Sequence, residues 1–106
     1  GLPPHPGHEI ARRQMDGAFG AMLTFEVMGD FAKTKRVCEA TKLFQLAVSL
    51  GAVESLIEQP ASMSHASYDP QVRRANGISD GLIRLSVGLE HADDLIEDLD
   101  RALSAA

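Results

Sequence analysis

Apolar and polar residues alternate at three places along the chain and recur at helical spacing at four others. Met22 to Met28 puts Leu23, Phe25 and Val27 on one side and Thr24 and Glu26 on the other, the period of a half-buried strand. Val53 to Glu58 alternates over a shorter run closed by Pro60 and predicts a second strand. Leu82 to Leu89 alternates most cleanly, with Ile83, Leu85, Val87 and Leu89 on one face and Arg84, Ser86 and Gly88 on the other.

Helices are expected between these strands. Pro6 can open one over Gly7 to Met15, with Glu9 in its first turn and Gly17 and Gly20 beyond its end. A longer one runs from an Asp30 cap to Leu50, because Val37, Ala40, Phe44, Ala47 and Val48 recur at three- and four-residue steps before Gly51. Asp69-Pro70 starts a short helix through Ala75, and Asn76-Gly77 suits its end. Ala92, Leu95, Ile96, Leu99, Ala102 and Leu103 form the apolar stripe of a last helix, with Asp93 and Asp94 favourably placed in its first turn. Alternating helices and strands predict an α/β chain with a small, mostly antiparallel sheet covered on one face by helices.

Length and charge narrow the function. A chain of 106 residues supports one modest core, so residues 1–106 are expected to be one domain or a piece of one. The net charge of −5 comes from Glu90 to Ala106, which holds six of the 15 acids and one of the 10 bases. The rest is balanced, so no basic field exists to neutralise nucleic-acid phosphates. No apolar run approaches the roughly 20 residues of a membrane span. The lone Cys38 fits a reducing, cytoplasmic compartment and a small apolar filler role. His5, His8, His65 and His91 lack metal-ligand spacing, so no metal is expected. The acids Asp93, Asp94, Glu97, Asp98 and Asp100 read as a solubilising outer helix face. Starting Gly-Leu-Pro-Pro-His-Pro without an initiator methionine, the chain looks cut from a longer one.

Two places could carry chemistry. Arg84 stands on an apolar strand whose face is otherwise cleared to Ser86 and Gly88, as if something approaches it; a guanidinium there matches a carboxylate in two parallel hydrogen bonds. The competing reading is an ion pair with Glu26, Glu54 or Glu58 on a neighbouring strand. Ser49-Leu50-Gly51 offers a hydroxyl and backbone groups at an irregular turn, or simple helix termination. No histidine is placed to activate a serine, which sets hydrolase chemistry aside.

The strings SLGAVESLIEQPASMSHASY (Ser49 to Tyr68) and GISDGLIRLSVGLEHADDLIEDLDRAL (Gly77 to Leu103) resemble the C-terminal signature of the Cys/Met-metabolism family of fold-type-I pyridoxal-phosphate enzymes. GLPPHPGHEIARRQM and FGAMLTFEV resemble the sequence that enters the same domain, so the likeness covers nearly the whole chain. It implies the C-terminal domain of such an enzyme. Arg84 would pair with the substrate's α-carboxylate, Ser49 would help to hold it, and Ser64, in Met63-Ser64-His65 where the family commonly has Met-Thr-His, would lie near the substrate.

The resemblance also implies what is missing: the cofactor's lysine, its phosphate-binding residues and a stacking aromatic ring belong to a larger upstream domain. Lys33, Lys35 and Lys42 do not resemble the cofactor-lysine motif. The fragment alone is expected to contain no catalytic and no cofactor-binding residue and to be inactive. Val48 before the SLG turn resembles methionine gamma-lyases, where cystathionine lyases and synthases often carry Glu, and an apolar residue suits a thioether. Ser67-Tyr68-Asp69-Pro70 points the same way, whereas Gly51-Ala52-Val53 and Ile57-Glu58-Gln59-Pro60 resemble cystathionine lyases about as well.

The implied function is γ-elimination from a sulfur amino acid by the parent enzyme, giving a 2-oxo acid, ammonia and a thiol. Cystathionine gamma-lyase, cystathionine gamma-synthase or homoserine-ester sulfhydrylase chemistry stands as the alternative within the family, and a standalone structural or partner-binding module as the alternative outside it. The implied partners are the N-terminal pyridoxal-phosphate part of the same enzyme and copies of itself in a homotetramer.

Overall fold

The computed structural model describes residues 1–106, in the order α1 (His8–Gln14), β1 (Met22–Glu26), α2 (Phe31–Ala40), β2 (Gln45–Leu46), β3 (Leu56–Glu58), α3 (Pro70–Ala75), β4 (Leu82–Ser86) and α4 (Ala92–Ala105). Alternation puts Ile83 and Leu85 of β4 on one face, where both are buried. Antiparallel pairing brings Phe25 of β1 opposite Ile83 and Ile57 of β3 opposite Leu85, so three strands share this apolar face. The full order is β1-β4-β3-β2, with only β2 and β3 parallel. The expected α/β class and mostly antiparallel sheet are present.

Helices α2 and α4 cover that face. Asp30 caps α2 by accepting from Lys33 N at 2.7 Å, and Thr34, Val37 and Cys38 turn its buried stripe inward. Leu95 and Ala102 do the same on α4, completing a cluster with Val27, Phe44, Ile57, Ile83 and Leu85. Burial of each large aliphatic side chain there contributes about 1.5–3 kcal/mol. Burial also pushes the Cys38 thiol up to about 12, so it packs as an apolar group. Asp69 accepts from Gln71 N and Val72 N at the start of α3, and Gly77, at φ 84°, ends it as expected.

The long helix expected over 30–50 stops instead at Ala40, and the unforeseen β2 follows four residues after Thr41. The cause lies in α4. Asp98 is 1% exposed, and its carboxylate accepts the N–H groups of Lys42 at 2.8 Å, Leu43 at 2.8 Å and Phe44 at 3.0 Å. Those amides would otherwise continue the helix, and the single hydroxyl proton of Thr41 is within reach of both Cys38 O at 3.1 Å and Phe44 O at 2.9 Å. Asp98 is therefore not part of the outward acidic face to which its neighbours belong. Ile96, placed by spacing on the buried stripe, is 64% exposed.

The second strand is also shorter than its alternation predicts and starts at Leu56. Glu90 accepts from Ser55 N at 2.9 Å and Ser55 Oγ at 2.7 Å, which takes the Ser55 amide out of the ladder. These hydrogen bonds hold the Glu90 carboxyl below its ordinary range. No helix is long and apolar enough to cross a membrane.

Burial alone would raise the Asp98 carboxyl, but the amides of Lys42, Phe44 and Leu43 and the Arg101 guanidinium outweigh it and hold it below its usual value. A carboxylate with a depressed folded pKa contributes stability that is complete above its unfolded value, about 4, and is lost as the pH falls through the folded value. Asp98→Asn is expected to cost about 3 kcal/mol at pH 7, since the amide nitrogen cannot accept from the Leu43 and Phe44 amides. Urea unfolding at pH 7 and at pH 3 should show the difference between variant and parent shrinking in acid; a pH-independent difference would contradict this role for the charge.

Candidate functional site

Opposite the helix-covered face, β4 presents Leu82, Arg84 and Ser86. The ladders put Thr24 of β1 and Glu58 of β3 on either side of Arg84, and Met22 and Leu56 on either side of Ser86. Residues 47–55 fold across the Ser86 end. Ser86 Oγ accepts from Gly51 N at 2.8 Å, Gly88 N donates to Ser55 Oγ at 2.8 Å, and Leu89 N donates to Val53 O at 2.8 Å. A Cβ on Gly88 would lie 2.1 Å from Val53 O, so the glycine is needed for this approach. The space that the sequence clears at Ser86 and Gly88 thus admits the chain's own loop.

The loop also fixes Arg84. Its Nη2 donates to Val48 O at 2.6 Å and Ser49 O at 3.1 Å, and Nη1 lies 3.3 Å from Glu58 Oε1. Two carbonyls and one carboxylate oxygen therefore set the plane of the guanidinium. Its Nε–H is buried without an acceptor, whereas 22% of the side chain remains accessible. A buried cationic donor without a partner is costly, and it is the kind of group that an incoming anion satisfies.

Both readings of Arg84 meet here. The ion pair with Glu58 exists, so the expected structural partner is real, but it engages a single long contact and leaves donors over. Val48 and Ser49 lie beside Arg84 through their carbonyls, and both residues are exposed. Ser64 is one step further away. Its hydroxyl donates to Glu58 Oε1 at 3.1 Å and lies 2.9 Å from His65 Nδ1, whose ring sits 4.9 Å from that of Tyr68. Arg84, Glu58, Ser64 and His65 thus form one line of polar contacts.

Glu58 was legible in the sequence only as one of three acids able to meet Arg84. Its burial, 1% exposed with Oε2 unpartnered, was not. The alternation of β3 with Leu56 and Glu58 on the Arg84 face was the available signal. No three His, Cys, Asp or Glu side chains converge as a metal site.

Residues 1–104 match the family model described as Cys/Met metabolism PLP-dependent enzyme. An L-methionine gamma-lyase from Fusobacterium nucleatum subsp. polymorphum is 54% identical over 103 residues, 97% of this chain and 26% of that protein. A cystathionine gamma-lyase from Macaca fascicularis is 55% identical over 106 residues, 100% of this chain and 26% of that protein. The crystal structure of cystathionine gamma synthase from Xanthomonas oryzae pv. oryzae, in complex with aminoacrylate and cysteine, superposes with a TM-score of 0.87 at 53% identity, over 98% of this chain and 27% of that one. The chain spans about a quarter of the length of the relatives it matches.

Gly88→Ala should push the 47–55 loop off the sheet, because its Cβ meets backbone, which cannot rotate away. The expected stability loss is about 2–4 kcal/mol, accompanied by faster hydrogen exchange at the Gly51 amide. Unchanged exchange at Gly51 would mean that the loop is held independently of this contact.

Proposed function

The chain belongs to the Cys/Met-metabolism family of pyridoxal-phosphate-dependent enzymes, and from that premise we propose that residues 1–106 are the C-terminal domain of a carbon–sulfur lyase, in which Arg84 holds the α-carboxylate of a sulfur amino acid. The observation that carries the proposal is the partly accessible guanidinium on the sheet face away from the helices, fixed by Val48 O, Ser49 O and Glu58, with a buried Nε–H that has no acceptor. A strand-borne guanidinium already oriented loses little freedom on binding a carboxylate, so the rest of the substrate is placed with it. In this proposal the exposed Ser49 hydroxyl adds a second contact to the carboxylate, and Ser64, joined to Arg84 only through Glu58, is placed near the substrate.

In this proposal the cofactor is held outside this chain. Lys33, Lys35 and Lys42 belong to α2 and the turn after it, on the helix-covered side, and Lys33 Nζ is already 3.0 Å from Met28 O. The cofactor and its lysine are assigned to the remaining part of the parent protein, where pyridoxal phosphate acts as the electron sink. This chain's contribution is to bind and orient, and by itself it is expected to be inactive.

The reaction we favour is γ-elimination from methionine or a close relative. Val48, 48% exposed beside Ser49, offers an apolar wall where a second charged head group would find no partner. Similar relatives include both methionine and cystathionine lyases at nearly equal identity, so the choice rests on Val48. Cystathionine γ-lyase or γ-synthase chemistry is the second reading, favoured by the identity to those relatives. We further propose a cytoplasmic homotetramer in transsulfuration-type metabolism. The single, unpaired thiol of Cys38 supports a reducing compartment. Met28, Leu50, Val53 and Leu89, between 57% and 91% exposed, support burial against other parts of the protein.

In the full-length protein, Arg84→Ala should raise KM for an amino-acid substrate roughly 100-fold, the loss of a charge-assisted pair, while the cofactor absorption stays intact. An unchanged KM would remove Arg84 from the substrate site. Val48→Glu should lower kcat/KM for methionine about tenfold or more relative to cystathionine. Comparing rates on methionine, cystathionine and O-acylated homoserines would read this out, and an unaltered preference would defeat the assignment of Val48.

A further inference from the structure

The carboxylate of Glu58 is poorly explained as a stabilising ion pair. It is 1% exposed, its contact to Arg84 is single and 3.3 Å long, and each partner keeps a buried polar atom unpartnered, Oε2 on Glu58 and Nε on Arg84. Desolvating two charges for so incomplete a pair costs about as much as it returns, and well-packed apolar residues commonly replace such pairs without loss of stability. The geometry is nevertheless specific. Glu58 sits at the register position facing Arg84, and the same Oε1 that meets Nη1 accepts from Ser64 Oγ, which in turn lies 2.9 Å from His65 Nδ1.

Resting on the reading of Arg84 as the carboxylate-binding group, we infer that Glu58 is its positioning residue and that Ser64 acts through Glu58. The two carbonyls on Nη2 restrain the guanidinium from the loop side only. Without a restraint on Nη1 the group can pivot about that edge, and its outward donors lose their aim. Glu58 supplies the restraint from the sheet side. Ser64 fixes Glu58, because a carboxylate free to turn would present either oxygen. Glu58 touches neither substrate nor cofactor in this scheme, so its loss weakens binding of the carboxylate with little change in turnover once the substrate is bound.

The test is a double-mutant cycle in the cofactor-loaded full-length protein, with steady-state kinetics beside the calorimetric dissociation constant of an unreactive ligand, an α-methyl amino acid that lacks the Cα proton. Glu58→Gln is expected to raise both KM and the dissociation constant about tenfold with kcat within twofold, and to add nothing further in an Arg84→Ala background. Ser64→Ala should give a smaller rise of the same sign, about threefold, absent once Glu58 is Gln; Ser64→Thr should restore the parent value. If Glu58→Gln fails to fold, the Ser64 pair of variants carries the same test.

A Glu58→Gln protein with unchanged or tighter binding overturns the inference, as does an effect that persists in full alongside Arg84→Ala. An Arg84→Ala protein that binds the ligand normally instead sinks the underlying assignment of Arg84, so the two failures are distinguishable.

Discussion

Asp98 gathers the backbone N–H groups of Lys42, Leu43 and Phe44 onto one buried carboxylate, and the path of everything between α2 and β3 follows from that contact. Three amides satisfied from α4 cannot also be helix donors, so α2 ends, the chain extends through β2, and residues 47–55 pass over the far face of the sheet. Were the helix to continue to Leu50, Val48 O and Ser49 O would point along its axis and Arg84 would have no loop to hold it. A contact more than 50 residues distant in sequence thus sets the geometry of a candidate site it does not touch.

The sheet separates two tasks. One face carries Phe25, Ile57, Ile83 and Leu85 under α2 and α4 and supplies the stability. The other carries Arg84, Ser86 and Glu58, whose polar groups are satisfied partly by the 47–55 loop and partly not at all. Strand alternation forces this separation, because neighbouring residues on β4 must face opposite ways. A guanidinium mounted there inherits the rigidity of a core it does not belong to, which favours recognition of a planar carboxylate over mere charge attraction.

Only 20 of the 106 residues are buried, and Val53 and Leu89 stand 70% and 82% exposed around the loop. So small a core with so much apolar surface suits a part of a larger protein, consistent with relatives about four times as long. The same surface explains why the loop that frames Arg84 is tied internally at Gly51, Val53 and Ser55: its outward side chains have no packing within this chain to hold them.

The sequence by itself determined β1 and β4, the Asp30 and Asp69 caps, the face on which Arg84 stands and the family, since alternation, caps and an extended signature are local properties written residue by residue. It named Arg84, Val48, Ser49 and Ser64 and set Glu58 among the possible partners of Arg84. It misread Phe44, Ala47 and Val48 as helical and Asp98 as a surface acid, because helical spacing is blind to a distant carboxylate competing for backbone amides. It also took the gap at Ser86 and Gly88 as room for a visitor when the chain's own loop fills it. Only the tertiary structure decided these points: each is a hydrogen bond or a close approach between segments far apart along the chain, and such pairings leave no period to read.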